Sequence, residues 1–371
     1  MRLLALIAAG AVACACVAAP ASPAPAAARY GDRALYARLA QTGLAQVSQL
    51  WWNPQSDWFT TFPYQASFGA GGLATLWDVT DVFDAAALLA VAQPSPANLA
   101  SLKIVADGAE RYWNPDMGGY AYLPGHRGDK NAFFDDNGWW GLDFFDAYRA
   151  SGDKRYLTDA VRAFRFIDSA GWADDAGGGV WWNTDETKKT SEPLAAEALL
   201  GALLFEATHQ QTYLRTTRRY IAWANAHSWN AARGLYQRNE TDDTVMDYVE
   251  GMMIGAHAVL CRALKDQSYC QKAEQLAEAS QAAFPPTYQW APETDAIYLR
   301  WLLELYAVDR DVRWYQVADS WAQQAVANAR DSRGIFARRW DGAFASNDRL
   351  LTPGGTLMLL AAVAAAPAPT G

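Results

Sequence analysis

Apolar residues recur at three- and four-residue intervals along almost the whole chain. Leu157, Ala160, Val161, Phe164 and Ile167 mark one such face; Ala196, Leu199, Leu200, Leu203 and Leu204 mark another; Ile254, Ala258, Val259 and Leu260 a third. This is the spacing of α-helices, and the two-residue alternation of β-branched residues that marks strands is scarce. The spacing predicts twelve helices, at about 33–51, 71–92, 96–112, 136–151, 154–170, 190–208, 211–228, 246–264, 269–283, 294–308, 311–329 and 351–365.

Two polar signatures punctuate these segments. The first is a Trp-rich loop: Trp52-Asn53-Pro54, Trp113-Asn114-Pro115, Trp172-Ala173-Asp174 and Trp229-Asn230-Ala231, with a weaker echo at Asp331-Ser332-Arg333. It returns every ~55–60 residues, the length of a helical hairpin with its loops. The second is a short polar turn before a new helix, as in Gly152-Asp153-Lys154, His209-Gln210-Gln211, Asp266-Gln267-Ser268 and Asp309-Arg310-Asp311. Long aromatic loops at one end and short turns at the other predict an all-α fold, an (α/α)6 barrel of six helical hairpins in a single domain. An open solenoid would need atypical capping ends, which the chain lacks. The domain is expected over residues 29–365, with 366–371 as a flexible C-terminal tail. Every second helix would be an inner one, and the long loops and inner-helix N-termini would share one rim.

Ahead of this domain, Met1-Arg2 and the apolar run from Leu3 to Ala13 read as a secretory signal peptide over residues 1–28, with Ala26-Ala27-Ala28 a candidate cleavage site. Pro20, Pro23 and Pro25 break the run too soon for a membrane span, so no transmembrane segment is expected once the leader is removed. Cys14 and Cys16 inside the leader leave a lipid anchor as an alternative to a free secreted, periplasmic or cell-surface protein. Only Cys261 and Cys270 remain beyond the leader. In an exported protein they are a disulfide candidate, against two buried free thiols. A formal net charge of −9, with no basic stripe, argues against a nucleic-acid partner. The 17 Trp and 17 Tyr exceed what a core needs and suit carbohydrate binding.

The rim is where this composition gathers. Before or at the start of the presumed inner helices stand Leu76-Trp77-Asp78, Phe133-Phe134-Asp135-Asp136-Asn137-Gly138-Trp139-Trp140, Val180-Trp181-Trp182-Asn183, Met246-Asp247-Tyr248-Val249-Glu250 and Trp290-Ala291-Pro292-Glu293. Taken together, a ring of carboxylates and aromatic faces is a sugar cleft. Asp135 and Asp136 are the candidate catalytic acids, because aromatic walls exclude water and raise a carboxyl's pKa. Their bland reading is a helix cap. Candidate substrate-binding residues are Trp77, Asp78, Asn137, Trp139, Trp140, Trp181, Trp182, Asp247, Tyr248 and Glu250. There is no Gly-rich phosphate loop, no His-Glu-x-x-His and no Cys cluster, so neither a cofactor nor a metal is expected.

Asp135-Asp136-Asn137-Gly138-Trp139-Trp140-Gly141-Leu142 resembles the signature of glycoside hydrolase family 76, the endo-α-1,6-mannanases. Gly178-Gly179-Val180-Trp181-Trp182-Asn183 is similar to the family's Gly-Gly-aliphatic-Trp loop, with Lys188 or Lys189 following it. Tyr248-Val249-Glu250-Gly251 resembles its Tyr-Asn-Gln-Gly, with Val and Glu in the middle, and Glu192 stands where Asn is expected. The resemblance covers about residues 35–345. It implies the (α/α)6 fold and a retaining mechanism in which Asp135 is the nucleophile and Asp136 the general acid/base. Adjacent Cα atoms lie about 3.8 Å apart, and retention needs carboxyls about 5–5.5 Å apart, which such neighbours can reach. The expectation is a monomeric, exported hydrolase cleaving α-mannan internally. The rivals are a transglycosylase using the same pair, a different (α/α)6 lyase, uronyl hydrolase or sugar epimerase, kept open by Arg127, Arg238 and Arg338, and a surface glycan-binding protein that has lost catalysis.

Overall fold

The computed structural model describes residues 30–64, 72–125, 130–174, 177–285, 290–345 and 348–369. The leader with Cys14 and Cys16, as well as Arg127, lies outside the described residues. Among those described there are twelve α-helices: α1 (Arg33–Leu50), α2 (Leu76–Ala92), α3 (Pro96–Ala109), α4 (Phe134–Ser151), α5 (Lys154–Phe166), α6 (Ser191–Thr208), α7 (Gln211–His227), α8 (Asp247–Leu264), α9 (Gln267–Ala283), α10 (Pro292–Asp309), α11 (Val312–Asn328) and α12 (Leu351–Ala365). The even-numbered helices pack each against the next, and α12 returns onto α2, closing the inner ring of an (α/α)6 barrel; the odd-numbered helices lie outside.

Burial explains which helix goes where. Every residue of α6 from Ser191 to Phe205, and of α12 from Leu351 to Ala364, is buried. A helix that is apolar all round has neighbours on all sides. Outer α5 buries only Tyr156, Ala160, Ala163, Phe164 and Phe166 and shows charge to solvent. Small residues let the inner helices approach: a Cβ at Gly251 of α8 would stand 2.6 Å from the Cα of Tyr298 on α10. No helix among the described residues is long and apolar enough to cross a membrane.

The two signatures acquire physical meanings. The polar turns join inner to outer helices. Inner helices α4, α6, α8 and α10 each end in a left-handed residue: Gly152 (φ 72°), His209 (57°), Lys265 (54°) and Arg310 (64°). At three of these four turns an Asp then caps the outer helix, Asp153, Asp266 and Asp311 each accepting a backbone N–H two residues on. The Trp-Asn loops are miniature hairpins: β1 (Trp52–Asn53) with β2 (Trp58–Phe59), β3 (Trp113–Asn114) with β4 (Gly119–Tyr120), and β5 (Trp229–Asn230) with β6 (Leu235–Asn239), which pairs on with β7 (Asp242–Val245). Asn closes each turn by accepting a local N–H, as Asn53 does from Gln55, Asn114 from Asp116 and Asn230 from Arg233. Five of these seven strands have two residues and carry no period, and β6 and β7, of five and four residues, lack apolar alternation.

Two helix ends also differ from expectation. Residues 110–112 tighten into a 3₁₀ turn and 167–171 widen into a π turn. The start of the tail, residues 366–368, is anchored rather than free. Arg33 donates to the carbonyls of Val363, Ala364 and Ala366, and the Tyr306 hydroxyl donates to that of Ala368 (3.0 Å). Cys261 and Cys270 form a disulfide between α8 and α9.

Candidate active site

The inner-helix N-termini converge on a cavity of about 480 Å³ lined by Trp77, Tyr122, Phe133, Asp135, Asp136, Trp139, Trp182, Glu192, Arg238, Tyr248, Trp290, Ala291, Glu293 and Thr294. The position of these residues in their helices follows a rule. Trp77, Asp135, Glu192, Tyr248 and Glu293 are each the second residue of an inner helix, namely α2, α4, α6, α8 and α10. Five of the six hairpins thus aim an equivalent side chain at the axis; the second residue of α12, Thr352, does not line the cavity. Asp136 follows Asp135 in the first turn, and Trp139, one turn deeper, packs against Trp77 and Tyr248. Helix N-termini carry partial positive charge, so carboxylates are favoured there.

The Asp pair is not the cap of α4. Phe133 occupies the cap position and makes no side-chain cap bond. The segment before the pair is fixed by the 180–189 loop instead. Phe134 N–H donates to the Trp182 carbonyl (2.9 Å), Thr184 N–H donates to the Ala132 carbonyl (3.0 Å), and Phe133 bridges Asn183. This places the Trp182 indole so that its Nε1–H donates to Asp135 Oδ2 at 2.9 Å, while Asp135 Oδ1 accepts the Asp136 N–H at 3.0 Å. Burial, reinforced by the charge of Glu192, pushes Asp135 up to about 7, and these hydrogen bonds hold it from rising further. Burial, then the charges of Asp135 and Asp78, hold Asp136 well above the usual carboxylate range. The two neighbours therefore differ: Asp135 has donors on both oxygens, and Asp136 accepts from none among the described residues. Arg238, on β6, donates to Glu192 (2.9 Å) and Asp242 (3.0 Å), so this cation is engaged by two carboxylates.

Of the residues singled out from the sequence, Asp135, Asp136, Trp77, Trp139, Trp182 and Tyr248 meet in this cavity. The other six do not line it. Asn137 is fully buried: its Nδ2 donates to the Tyr120 and Phe133 carbonyls (both 2.9 Å), and its Oδ1 accepts the Tyr120 N–H (2.8 Å), tying β4 to α4. Glu250 of α8, two repeats on, plays the equivalent part, accepting the Tyr236 N–H of β6. Asp78 sits in a capping box with Thr75 and accepts from Thr61 (2.9 Å) and Arg349. Trp140 is core, its ring 4.7 Å from that of Tyr112. Trp181 faces Lys189 (4.9 Å), and Asp247 lies behind the wall, accepting the Tyr248 N–H (2.7 Å). Among residues not chosen, Trp290 and Glu293 stood in the rim stretches, and Glu192 and Thr294 lie just beyond two of them; their place at helix starts was the available signal. Tyr122 carried none.

The abundance of Trp is mostly architectural. Only Trp77, Trp139, Trp182 and Trp290 line the cavity. Trp51, Trp58, Trp140, Trp301, Trp314, Trp321 and Trp340 are buried in the core. At the rim hairpins, Trp113, Trp172 and Trp229 each take a cation from an outer helix, Arg162 (4.2 Å), Arg219 (4.1 Å) and Lys272 (3.5 Å) respectively.

Solved structures share the fold. A family 76 glycoside hydrolase (mannosidase) from Bacteroides thetaiotaomicron VPI-5482 superposes with a TM-score of 0.79 at 20% identity, covering 89% of this chain and 98% of that one. An inactive double aspartate-to-asparagine variant of an α-1,6-mannanase from Salegentibacter sp. HEL1_6, in complex with α-1,6-mannotriose, gives 0.74 at 19% identity over 89% of this chain and 99% of that one. Dfg5 from Chaetomium thermophilum, in complex with glucosamine, gives 0.68 at 16% identity, covering 93% and 94%. No curated protein matches the sequence. Residues 102–311, which carry α4 through α10 and the Asp135-Asp136 pair, match the sequence profile of glycosyl hydrolase family 76, and the chain belongs to that family.

Proposed function

We propose that this chain is a retaining endo-α-1,6-mannanase, with Asp135 as nucleophile and Asp136 as general acid/base. The carrying observation is the unequal environment of two adjacent carboxyls in one aromatic cavity. Two hydrogen bonds favour the ionised form of Asp135, which suits attack on an anomeric carbon. Asp136, held protonated beside it, suits donation to the leaving glycosidic oxygen, after which its carboxylate activates the water that resolves the glycosyl-enzyme. Trp77, Trp139, Trp182, Tyr248 and Trp290 supply faces for sugar C–H surfaces. The α-mannan class rests on family membership and on the mannosidase and mannanase among the structures that share the fold.

The test is digestion of unbranched α-1,6-mannan, with products sized and the anomeric configuration of the first product read by NMR. Internal cleavage with retained configuration is expected, and both Asp135→Asn and Asp136→Asn should lose several orders of magnitude. An activated aryl α-mannoside needs no leaving-group proton, so it should restore the first step in Asp136→Asn but not in Asp135→Asn. Inverted product would sink the assignment of Asp135, and products longer than the starting oligosaccharide would indicate glycosyl transfer instead. We also propose export, with residues 1–28 as leader. The Cys261–Cys270 disulfide supports an oxidising destination.

A further inference from the structure

Behind the aromatic wall of the cavity lies a second pair of carboxyls. Asp247 opens α8, and Asp295 stands in the first turn of α10; each is only 1% exposed. The close approach of these helices at Gly251 and Tyr298 sets the two side chains one turn earlier on neighbouring helices, near enough that the charge of Asp247 acts on Asp295. Each also holds one ring of the wall by its backbone. Asp247 Oδ1 accepts the N–H of Tyr248 at 2.7 Å, and Asp295 Oδ1 accepts the N–H of Trp290 at 3.1 Å. The Tyr248 and Trp290 rings meet across the helix junction with centroids 6.0 Å apart. The Oδ2 atoms of both acids are buried and have no hydrogen-bond partner among the described residues.

Two carboxylates cannot face each other in such a place with both charged, since mutual repulsion adds to the cost of desolvation. One proton between them removes the repulsion and makes a hydrogen bond. We infer that Asp247 and Asp295 share a single proton and act as a positioning pair for the Tyr248–Trp290 wall, so that loss of this proton loosens the wall. The other groups facing the pair are the phenols of Tyr248 and Tyr298 and the guanidinium of Arg339, which also donates to the Trp290 carbonyl (2.7 Å), while the carboxyl of Glu250 acts on Tyr298. Asp247 is pushed up to about 6 by burial, and burial and the charge of Asp247 hold Asp295 well above the carboxylate range. Asp295 is therefore the member of the pair that holds the proton longer, and the proton leaves as pH rises. That this wall contacts substrate rests on the mannanase reading; the shared proton does not.

The test is therefore built first without substrate. Acrylamide quenching of Trp290, taken as wild type minus Trp290→Phe, is followed from about pH 6 to about pH 10. The quenching constant should rise about twofold in the wild type as the ring loses its packing. It should stay flat in Asp247→Asn, whose amide accepts the Tyr248 N–H and donates to Asp295 without any shared proton. Asp295→Asn, checked for folding by circular dichroism, serves equally if Asp247→Asn does not fold. A flat wild-type titration, or an equal rise in the Asn variants, would overturn the inference. In parallel, α-1,6-mannotriose binding to Asp136→Asn should weaken about tenfold over the same interval, and adding Asp247→Asn should remove the pH dependence. No binding at any pH would refute the substrate assignment and leave the quenching titration to decide the pair.

Discussion

Replacing Trp182 by Phe probes the chemistry of the nucleophile most directly. The substitution removes one N–H donor. The 2.9 Å bond from Nε1 to Asp135 Oδ2 disappears, while a Phe ring keeps the edge contact with Phe133, now at a 5.0 Å centroid separation. The Lys188 ammonium 3.9 Å above the indole would face a phenyl ring instead, a weaker cation partner, but it is exposed and contributes little. A hydrogen bond to a charged group stabilises that charge by about 1.5–3 kcal/mol. At 1.36 kcal/mol per pKa unit, the acid limb governed by Asp135 should move up by about 1–2 units. The sign is set by mechanism. The nucleophile must be ionised, the wild-type group is already pushed up to about 7, and removing a donor to its charged form raises it further. Activity should therefore be preserved well above the limb and lost earlier as pH falls. The assay is kcat/KM on α-1,6-mannotetraose across the pH range, with the limb fitted as a property of the coupled pair. Trp182 lines the cavity, so the level of the profile will also drop, but a lost stacking face lowers it at every pH alike. An acid limb that stays in place, or moves down, would refute the role of the indole and the assignment of Asp135 as the ionised partner.

Other perturbations separate site from scaffold. Arg300 lies within the barrel, ion-paired to Asp84 of α2 and Asp146 of α4, all three buried. Arg300→Met should cost about 3–5 kcal/mol in urea unfolding, because Asp84 is left unpaired in the interior and Asp146 keeps only Arg149 at 3.4 Å, with kcat/KM unchanged. Asn137→Ala removes three hydrogen bonds to β4 and the start of α4 and should cost about 2–4 kcal/mol by the same measurement. Breaking the Cys261–Cys270 disulfide, with its sequence separation of 9, should cost about 2–3 kcal/mol from loop-closure entropy, and equal unfolding midpoints with and without reductant would contradict this. Burial holds Asp81, Asp143 and Glu197 well above the carboxylate range. The folded state therefore binds more protons than the unfolded state above about pH 4, and the urea midpoint should fall as pH rises from about 5 to about 8; a rising midpoint would show these acids to be ionised.

The helices were legible because the fold leans on them twice. Inner and outer helices both carry apolar residues at helical spacing, and the turns between them are made by local chemistry that reads directly as sequence. Asp153, Asp266 and Asp311 each begin an outer helix. What stayed hidden was structure without a period. The Trp-Asn hairpins recur visibly, but a pair of two-residue strands held by an Asn side chain and one aromatic contact leaves no alternation to detect. Composition misled for a related reason. Trp113, Trp172 and Trp229, which mark the repeating loops in sequence, belong to the Trp excess read as suited to carbohydrate, yet each carries a cation on its ring, Arg162, Arg219 and Lys272 respectively. A cation two helices or more away on the outer layer cannot be assigned to a given indole before the barrel closes.

The site divides along the same line. Asp135 and Asp136 were legible because adjacent acids between aromatic pairs are a local feature. Asn137 and Glu250 were read as sugar contacts because polar residues beside a cleft usually face it. Both instead occupy the fourth position of an inner helix and accept a backbone N–H from the rim hairpin of their own repeat, Tyr120 and Tyr236 respectively. Two positions earlier, Asp135 and Tyr248 face the axis. The angle between the second and fourth residues of a helix is about 200°, so if one faces the cavity the other must face the outer layer. Once the inner helices and their first residues are known, this geometry alone sorts the rim. It brings Glu192 and Glu293 into the cavity and sends Asn137 and Glu250 behind it. The same rule sets Asp247 and Asp295 one and two positions away from cavity-lining Tyr248 and Glu293, facing each other rather than substrate, where they can affect the wall only through the residues they hold.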